Sequence, residues 1–249
     1  MTTADDVPTP QVSIEGSAEG DGRVFQVVKG SLNIDYSTHY HGSVEHGQRP
    51  DESAAEREPG WEYMLYAATL KEGLASLDGK WLQYRHGHTY RAARYPTRSE
   101  AVKYFAWTMD ESGRIVHSFT QWLSPPAQEE VFGPRGQPGN ASAIQHSAHS
   151  MCRLFGEFVD LLIELRSVSI PTETKRARDF VVIMLDQPLR QARQFMLDVI
   201  EALADLPQQI AGRDPGSPIF INVSVTFSMD EKARIEFRKE LDRLKKLKR

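Results

Sequence analysis

The chain has 249 residues, enough for one large domain or two small ones, and its formal net charge of -4 gives no global attraction to nucleic acid. Its single cysteine, Cys152, excludes an internal disulfide and fits a reducing compartment. No apolar run approaches the roughly 20 residues that span a bilayer, and the acidic start, Met1 to Asp6, lacks the basic and apolar regions of a signal peptide, so a cytoplasmic protein is expected.

Met1 to Gly22 is polar, acidic and rich in Gly and Pro, the composition of a disordered arm. From Arg23 the character changes. Val24, Phe25, Val27 and Val28 precede Gly30, and Leu32, Ile34 and Tyr36 then alternate with polar residues. This predicts β structure over 23–41, with a hairpin turning near Gly30. A lone hairpin is marginal in water, so it should dock on the body or pair with another chain. Gly22-Arg23-Val24-Phe25-Gln26, Gly30-Ser31-Leu32-Asn33-Ile34 and His39-Tyr40-His41 together resemble a short β segment of actinomycete signalling and conflict-system proteins, with Val27 where that segment carries a small residue. The resemblance covers about a tenth of the chain. It implies a bacterial signalling or defence context and supplies no catalytic residue. Residues 42–60 read as a polar linker.

The remainder, 61–249, reads as a helical bundle domain. Trp61 to Trp81 carries Tyr63, Tyr66, Leu70, Leu74, Leu77 and Trp81 on one face, with Gly73 weakening it and Gly79 a candidate early stop. Tyr84 to Thr97 reads as a loop. Ser99 to Leu123, capped by Thr97 or Ser99, presents Val102, Phe105, Met109, Val116, Phe119 and Leu123, and Pro125-Pro126 stops it. A loop follows to Gly139. Asn140 to Ser169, capped by Asn140 or Ser142, carries a stripe from Ile144 to Leu165. Thr172 to Ala211 reads as one long helix, or two stacked across Pro188. Ile219, Ile221, Val223, Val225 and Phe227 then alternate with polar residues as a strand. Ser228 with Glu231 reads as a capping box opening a final helix, 229–247, whose inner face is Ala233, Phe237, Leu241 and Leu244. The fold class expected is therefore mainly α: an antiparallel bundle of four long helices plus a C-terminal helix, with a small β element made of the N-terminal hairpin and strand 219–227.

Three sets of residues bear on function. His146, His149 and Cys152 are spaced by three, so on a helix they span about 120 degrees and can approach one metal ion; the plainer reading makes Cys152 a core residue with the histidines at the edge of its stripe. Arg85, Arg91 and Arg94 with Tyr84, Tyr90 and Tyr95 have the composition of a base-stacking, phosphate-binding loop, or of tyrosines packed on the bundle under solvated arginines. Leu32, Ile34 and Tyr36 with Ile221, Val223 and Val225 belong to β segments with few partners, and are candidates for an interface between subunits. Asp186 and Gln187, beside Pro188, can line a polar site, though the plainer reading is that a kink at Pro188 lets the helix wrap its neighbours. His39, His41, His46, His86 and His88 lack accompanying thiols or paired carboxylates, and the basic end Lys245 to Arg249 suits a helix C-terminus. The chain has no Gly-x-Ser-x-Gly elbow, no phosphate-cradling Gly-Lys loop and no dinucleotide fingerprint, and no cofactor is implied. The function these readings favour is a non-enzymatic interaction or oligomerisation module, an adaptor that associates with itself or with another protein. A metal-dependent enzyme or sensor and a nucleic-acid binder are the alternatives.

Overall fold

The structure, a computed structural model, describes residues 14–15, 27–35, 60–87, 93–132, 140–211 and 220–247. The helical body contains α1 (Trp61–Ser76), α2 (Asp78–His86), α3 (Arg98–Trp122), α4 (Pro125–Phe132), α5 (Ala141–Ser167), α6 (Lys175–Ala204), α7 (Leu206–Ala211) and α8 (Glu231–Lys246). Three strands complete the described residues: β1 (Ile14–Glu15), β2 (Val27–Asp35) and β3 (Phe220–Ser228). The expected class, mainly α with a small β element, is what forms. No described helix is long and apolar enough to cross a membrane.

Local chemistry sets several helix ends. Thr97 caps α3 with a full capping box: its hydroxyl accepts from the Glu100 amide at 3.2 Å and its own amide donates to Glu100 Oε2 at 3.0 Å. The Asn140 side chain accepts from the amides of Ser142 and Ala143 to open α5. Gly87, at φ 71°, ends α2 in the left-handed conformation that glycine tolerates. Two boundaries differ from expectation. The first helix breaks at Leu77 rather than Gly79, and its second half runs past Tyr84 to His86, residues assigned to a loop by their composition. Asp230, rather than Ser228 with Glu231, caps α8, accepting from the Ala233 amide at 2.8 Å. Pro125-Pro126 does stop α3, and α4 starts at that point within the stretch expected to be a loop.

The long element that opens at Thr172 is a single turn of 3₁₀ helix followed by 30 residues of α6. It passes through the buried Pro188 without a break, so the alternative of two stacked helices does not apply. At 1.5 Å per residue it extends about 45 Å. It packs against α1, α3, α5, α8 and β3, and thereby joins the bundle to the sheet. Its buried residues, from Ala177 through Met184, Leu189 and Phe195 to Leu203, follow the spacing read from the sequence.

Contacts along the helices fix their directions. Tyr66 meets Met151, Leu70 meets Cys152 and Lys80 meets Asp160. Numbers rise together, so α1 and α2 run parallel to α5. Against α6 they run the other way, with Asp78 beside Arg193 and Tyr84 beside Asp186. α3 is antiparallel to α5: Arg114 bonds Glu157, while Tyr104, nearer the start of α3, stacks on the Tyr95 that bonds Ser169 beyond the end of α5. The chain thus goes up, down, up, down. Yet α1 packs mainly on α5 and α6 rather than on α3, its successor among the long helices. Two glycines permit that close parallel contact. A Cβ on Gly73 would stand 2.5 Å from Cys152 Sγ, and one on Gly156 would stand 3.2 Å from a Leu77 methyl. Gly73 costs about 1 kcal/mol of helix propensity; the contact with α5 is what it permits.

β2 and β3 pair antiparallel over their whole length, from Val27 opposite Ser228 to Asp35 opposite Phe220. Gly30 lies within β2, opposite Val225, so the hairpin expected to turn there is one continuous strand. β1 pairs with Val27 and Val28 only, from inside the stretch expected to be a disordered arm. Ile221, Val223, Val225 and Phe227 are buried, with Phe227 edge-on to Phe119 at 5.5 Å, while Asn222, Ser224 and Thr226 are exposed.

Candidate functional site

The metal triplet does not converge. His146 and His149 are exposed, whereas Cys152 is buried and its thiol donates to the Leu70 carbonyl across the α1–α5 seam at 3.6 Å. A 120-degree arc on a helix is wide enough to begin in solvent and end in the core. Among the described residues no three His, Cys, Asp or Glu side chains are grouped to hold a metal ion. Burial pushes the Cys152 thiol up to about 11, which keeps it protonated and unreactive.

The Arg/Tyr set divides. Tyr90 and Arg91 lie outside the described residues. Arg85 and Arg94 are exposed, Arg94 in a short parallel bridge with Ser169. Tyr84 is 1% exposed and belongs to the core. Of the strand set, Ile221, Val223 and Val225 are buried within this chain, so the apolar face of β3 is not a subunit surface. The backbones of Leu32 and Ile34 pair with Val223 and Ile221 in the same chain, and Tyr36 lies outside the described residues.

Sequence reasoning singled out Asp186 and Tyr84 separately but missed the polar cluster they form with Arg166 and Arg190, where α2, α5 and α6 meet. The Tyr84 hydroxyl donates to Asp186 Oδ1. Arg166 donates to the Tyr84 carbonyl at 2.6 Å and to its phenol oxygen at 3.2 Å, and its guanidinium lies 4.0 Å from the ring centroid. Arg190 donates to Asp186 Oδ2 at 2.6 Å. Arg193 lies over Trp81 at 5.1 Å and reaches Asp78 at 3.4 Å. Burial, and then the hydrogen bond to Asp186, push the Tyr84 phenol above its ordinary range. It therefore stays protonated and acts as a donor, with both Asp186 oxygens already engaged. Such a cluster clasps three helices together. The other candidate beside Pro188, Gln187, has a different partner: Gln187 and Gln191 both donate to the Ser228 hydroxyl, at 2.7 and 3.0 Å, and Gln191 Oε1 accepts from the Ser228 amide. This ties the end of β3 to α6.

An open groove of about 470 Å³ lies between α3, α4 and α5, with Trp122 and Leu154 in its lining. Both of its lining arginines are paired: Arg114 bonds Glu111 at 2.6 Å, and both Arg114 and Arg153 approach Glu157 at 3.5 Å. The Arg114 hydrogen bonds hold the Glu111 carboxyl below its usual range.

The remaining feature is the far edge of β3. The strand bonds to β2 along one edge, and among the described residues no strand pairs with the other. Its nine residues, Phe-Ile-Asn-Val-Ser-Val-Thr-Phe-Ser, contain no charge and no proline. Edge strands are ordinarily blunted by exactly those residues, because an open edge is a template for another chain. No family model, no curated protein and no solved structure matches this chain.

Proposed function

We propose that the chain is a non-enzymatic helical module that associates with itself through β3, serving as an adaptor in a cytoplasmic bacterial signalling or defence assembly. The observation that supports this reading is the uncharged, proline-free edge of β3, whose inner face is already packed on α6. Such an edge recruits by main-chain hydrogen bonds. A second copy suits it well. Antiparallel pairing about a two-fold axis at Ser224 sets Asn222 opposite the Thr226 of the other copy, with no like charges facing. Each copy's α6 then covers its own half of the extended sheet.

Light scattering on the eluting protein at micromolar concentration tests this. A dimer or larger species is expected. Ser224→Lys puts two ammonium groups opposite each other on an exposed face, so it should yield folded monomer. Mixing Ser224→Lys with Ser224→Asp should restore association. Wild-type protein that elutes only as monomer, or a Lys variant of unchanged size, rejects the reading.

A further inference from the structure

α8 lies antiparallel on the first half of α6. Just before it starts, the Ser228 hydroxyl accepts from Gln187 and Gln191; in its last turn, Arg243 donates to the Glu173 carbonyl at 2.9 Å. Halfway between these anchors, Ile235 comes level with Ile183 to within about a turn. Three of the five large apolar side chains that stand exposed among the described residues belong to this helix pair: Ile183, Ile235 and Leu247, at 48%, 44% and 38%. The pair is also basic. Residues 173–183 and 231–247 hold ten Lys and Arg against six Asp and Glu, in a chain of net charge -4. Five of those carboxylates are paired: Asp179 with Arg178, Glu231 with Arg234, Glu236 with Lys239, Glu240 with Arg243 and Asp242 with Lys245. Among the described residues Lys175, Arg176, Lys232, Arg238 and Lys246 have no ion-pair partner, and all five are exposed. Lys245 and Lys246 suit the C-terminus of α8, but Lys175, Arg176 and Arg178 occupy the first turn of α6, the positive end of its dipole, where cations are unfavourable. Helix stability accounts for the first group and not for the second. The opposite end of the bundle, residues 60–70, 115–132, 140–152 and 194–211, contains no Lys or Arg, so the cations are segregated rather than spread.

Unpaired cations beside bare isoleucines suit a partner that is anionic at its surface and apolar just beneath it. The phosphates of a nucleic acid would take the cations but leave the isoleucines in water. We propose that the outer surface of α6 and α8 docks on an anionic lipid surface, with Lys175, Arg176 and Lys246 among the headgroups and Ile183, Ile235 and Leu247 at the acyl boundary. The helices lie on the bilayer and do not cross it, since no described helix is long and apolar enough to do so. The opposite end, which carries Glu62, Glu130, Glu201 and Asp205 and no cation to offset them, is repelled by the same lipid, and this fixes which side of the molecule faces the membrane. β3 ends at Ser228, where this surface begins, so its free edge stays available and lipid docking stands or falls separately from self-association.

Flotation of the full chain with vesicles tests the assignment. The protein should float with phosphatidylcholine vesicles that contain about one-third phosphatidylserine at about 100 mM salt, should not float with phosphatidylcholine alone, and should be released at about 1 M salt. Lys175→Ala and Lys246→Ala should each weaken binding about fivefold. Ile235→Ser should weaken it by roughly three- to tenfold, because the boundary contact is apolar. Lys71→Ala, which removes an exposed charge on α1 away from α8, should leave binding unchanged. Absence of flotation with phosphatidylserine, equal flotation with phosphatidylcholine alone, an Ile235→Ser protein that binds as the wild type does, or a loss from Lys71→Ala as large as that from Lys246→Ala overturns the assignment. Fluorescence anisotropy with a labelled DNA duplex at the same salt separates the other anionic partner. Duplex binding tighter than lipid binding and indifferent to Ile235→Ser assigns the surface to nucleic acid and overturns the lipid reading. If circular dichroism shows that Ile235→Ser has lost its fold, Leu247→Ser, just beyond the last turn of α8, carries the same test, with weaker flotation expected and unchanged flotation overturning it.

Discussion

The two ends of the contact between the α1–α2 arm and α5 are held by opposite means. At one end, Gly73 and Gly156 let backbones approach until Cys152 and Leu77 fill the gap, and the few polar atoms there bond weakly, as Tyr66 does to Met151 Sδ at 3.7 Å. At the other, Tyr84, Asp186 and Arg166 are joined by charge-assisted hydrogen bonds, with Arg190 closing the set. The first end depends on shape and tolerates no added atoms. The second depends on partners and tolerates no deletions. The α1–α2 arm thus has two failure modes, and each can be probed without the other.

The largest effect is expected at the charged end. Asp186→Ala strips the acceptor from Tyr84 and Arg190, and loss of such charged hydrogen bonds should lower stability by about 2–3 kcal/mol in urea unfolding. Combined with Arg166→Ala, the loss should fall short of the sum of the two single changes, because both act on Tyr84. Strict additivity would mean that the cluster does not behave as a unit. At the apolar end, Gly73→Ala gains about 1 kcal/mol of helix propensity but drives a methyl against Cys152 Sγ, so a net loss of roughly 1–2 kcal/mol is expected. Cys152→Ala removes that sulfur and should recover part of the loss when combined with Gly73→Ala. A double variant no better than Gly73→Ala would place the clash elsewhere.

Acid sharpens the contrast with the smallest effect. Glu240 on α8 is 4% exposed, and hydrogen bonds from Arg243 hold its carboxyl below the usual range. A depressed folded value means that its stabilisation is complete above the ordinary carboxyl range near 4.3 and is lost as pH falls through the folded value. Hydrogen exchange in α8 should therefore quicken on acidification before exchange in the α1–α5 seam does. Glu240→Gln should flatten that response, and an α8 as acid-resistant in the wild type as in the variant would contradict it.

Much of the fold was readable because its signals are local. The caps at Thr97 and Asn140, the stripes on α3, α5 and α6, and the alternation from Ile221 to Phe227 each depend on a few adjacent residues. What was misread depends on distant partners. Gly30 reads as a turn until β3 lies across from it. Gly73 reads as a flaw in a helix until Cys152 is beside it. Tyr84 to His86 resemble a loop by composition until Tyr84 is seen buried against Arg166 and Asp186. The triplet ending at Cys152 shows the same limit, since spacing fixes the angle between side chains but not where the core boundary falls.

Cys152 has a practical consequence. It is the chain's sole thiol, and its seat beneath Gly73 hides it from reagents while the seam stays shut. A thiol-specific dye added to the native protein will therefore label it only as fast as α1 lifts away from α5. The molecule carries its own clock for that event, and a cysteine introduced on the surface can be tagged first, before the native one becomes visible.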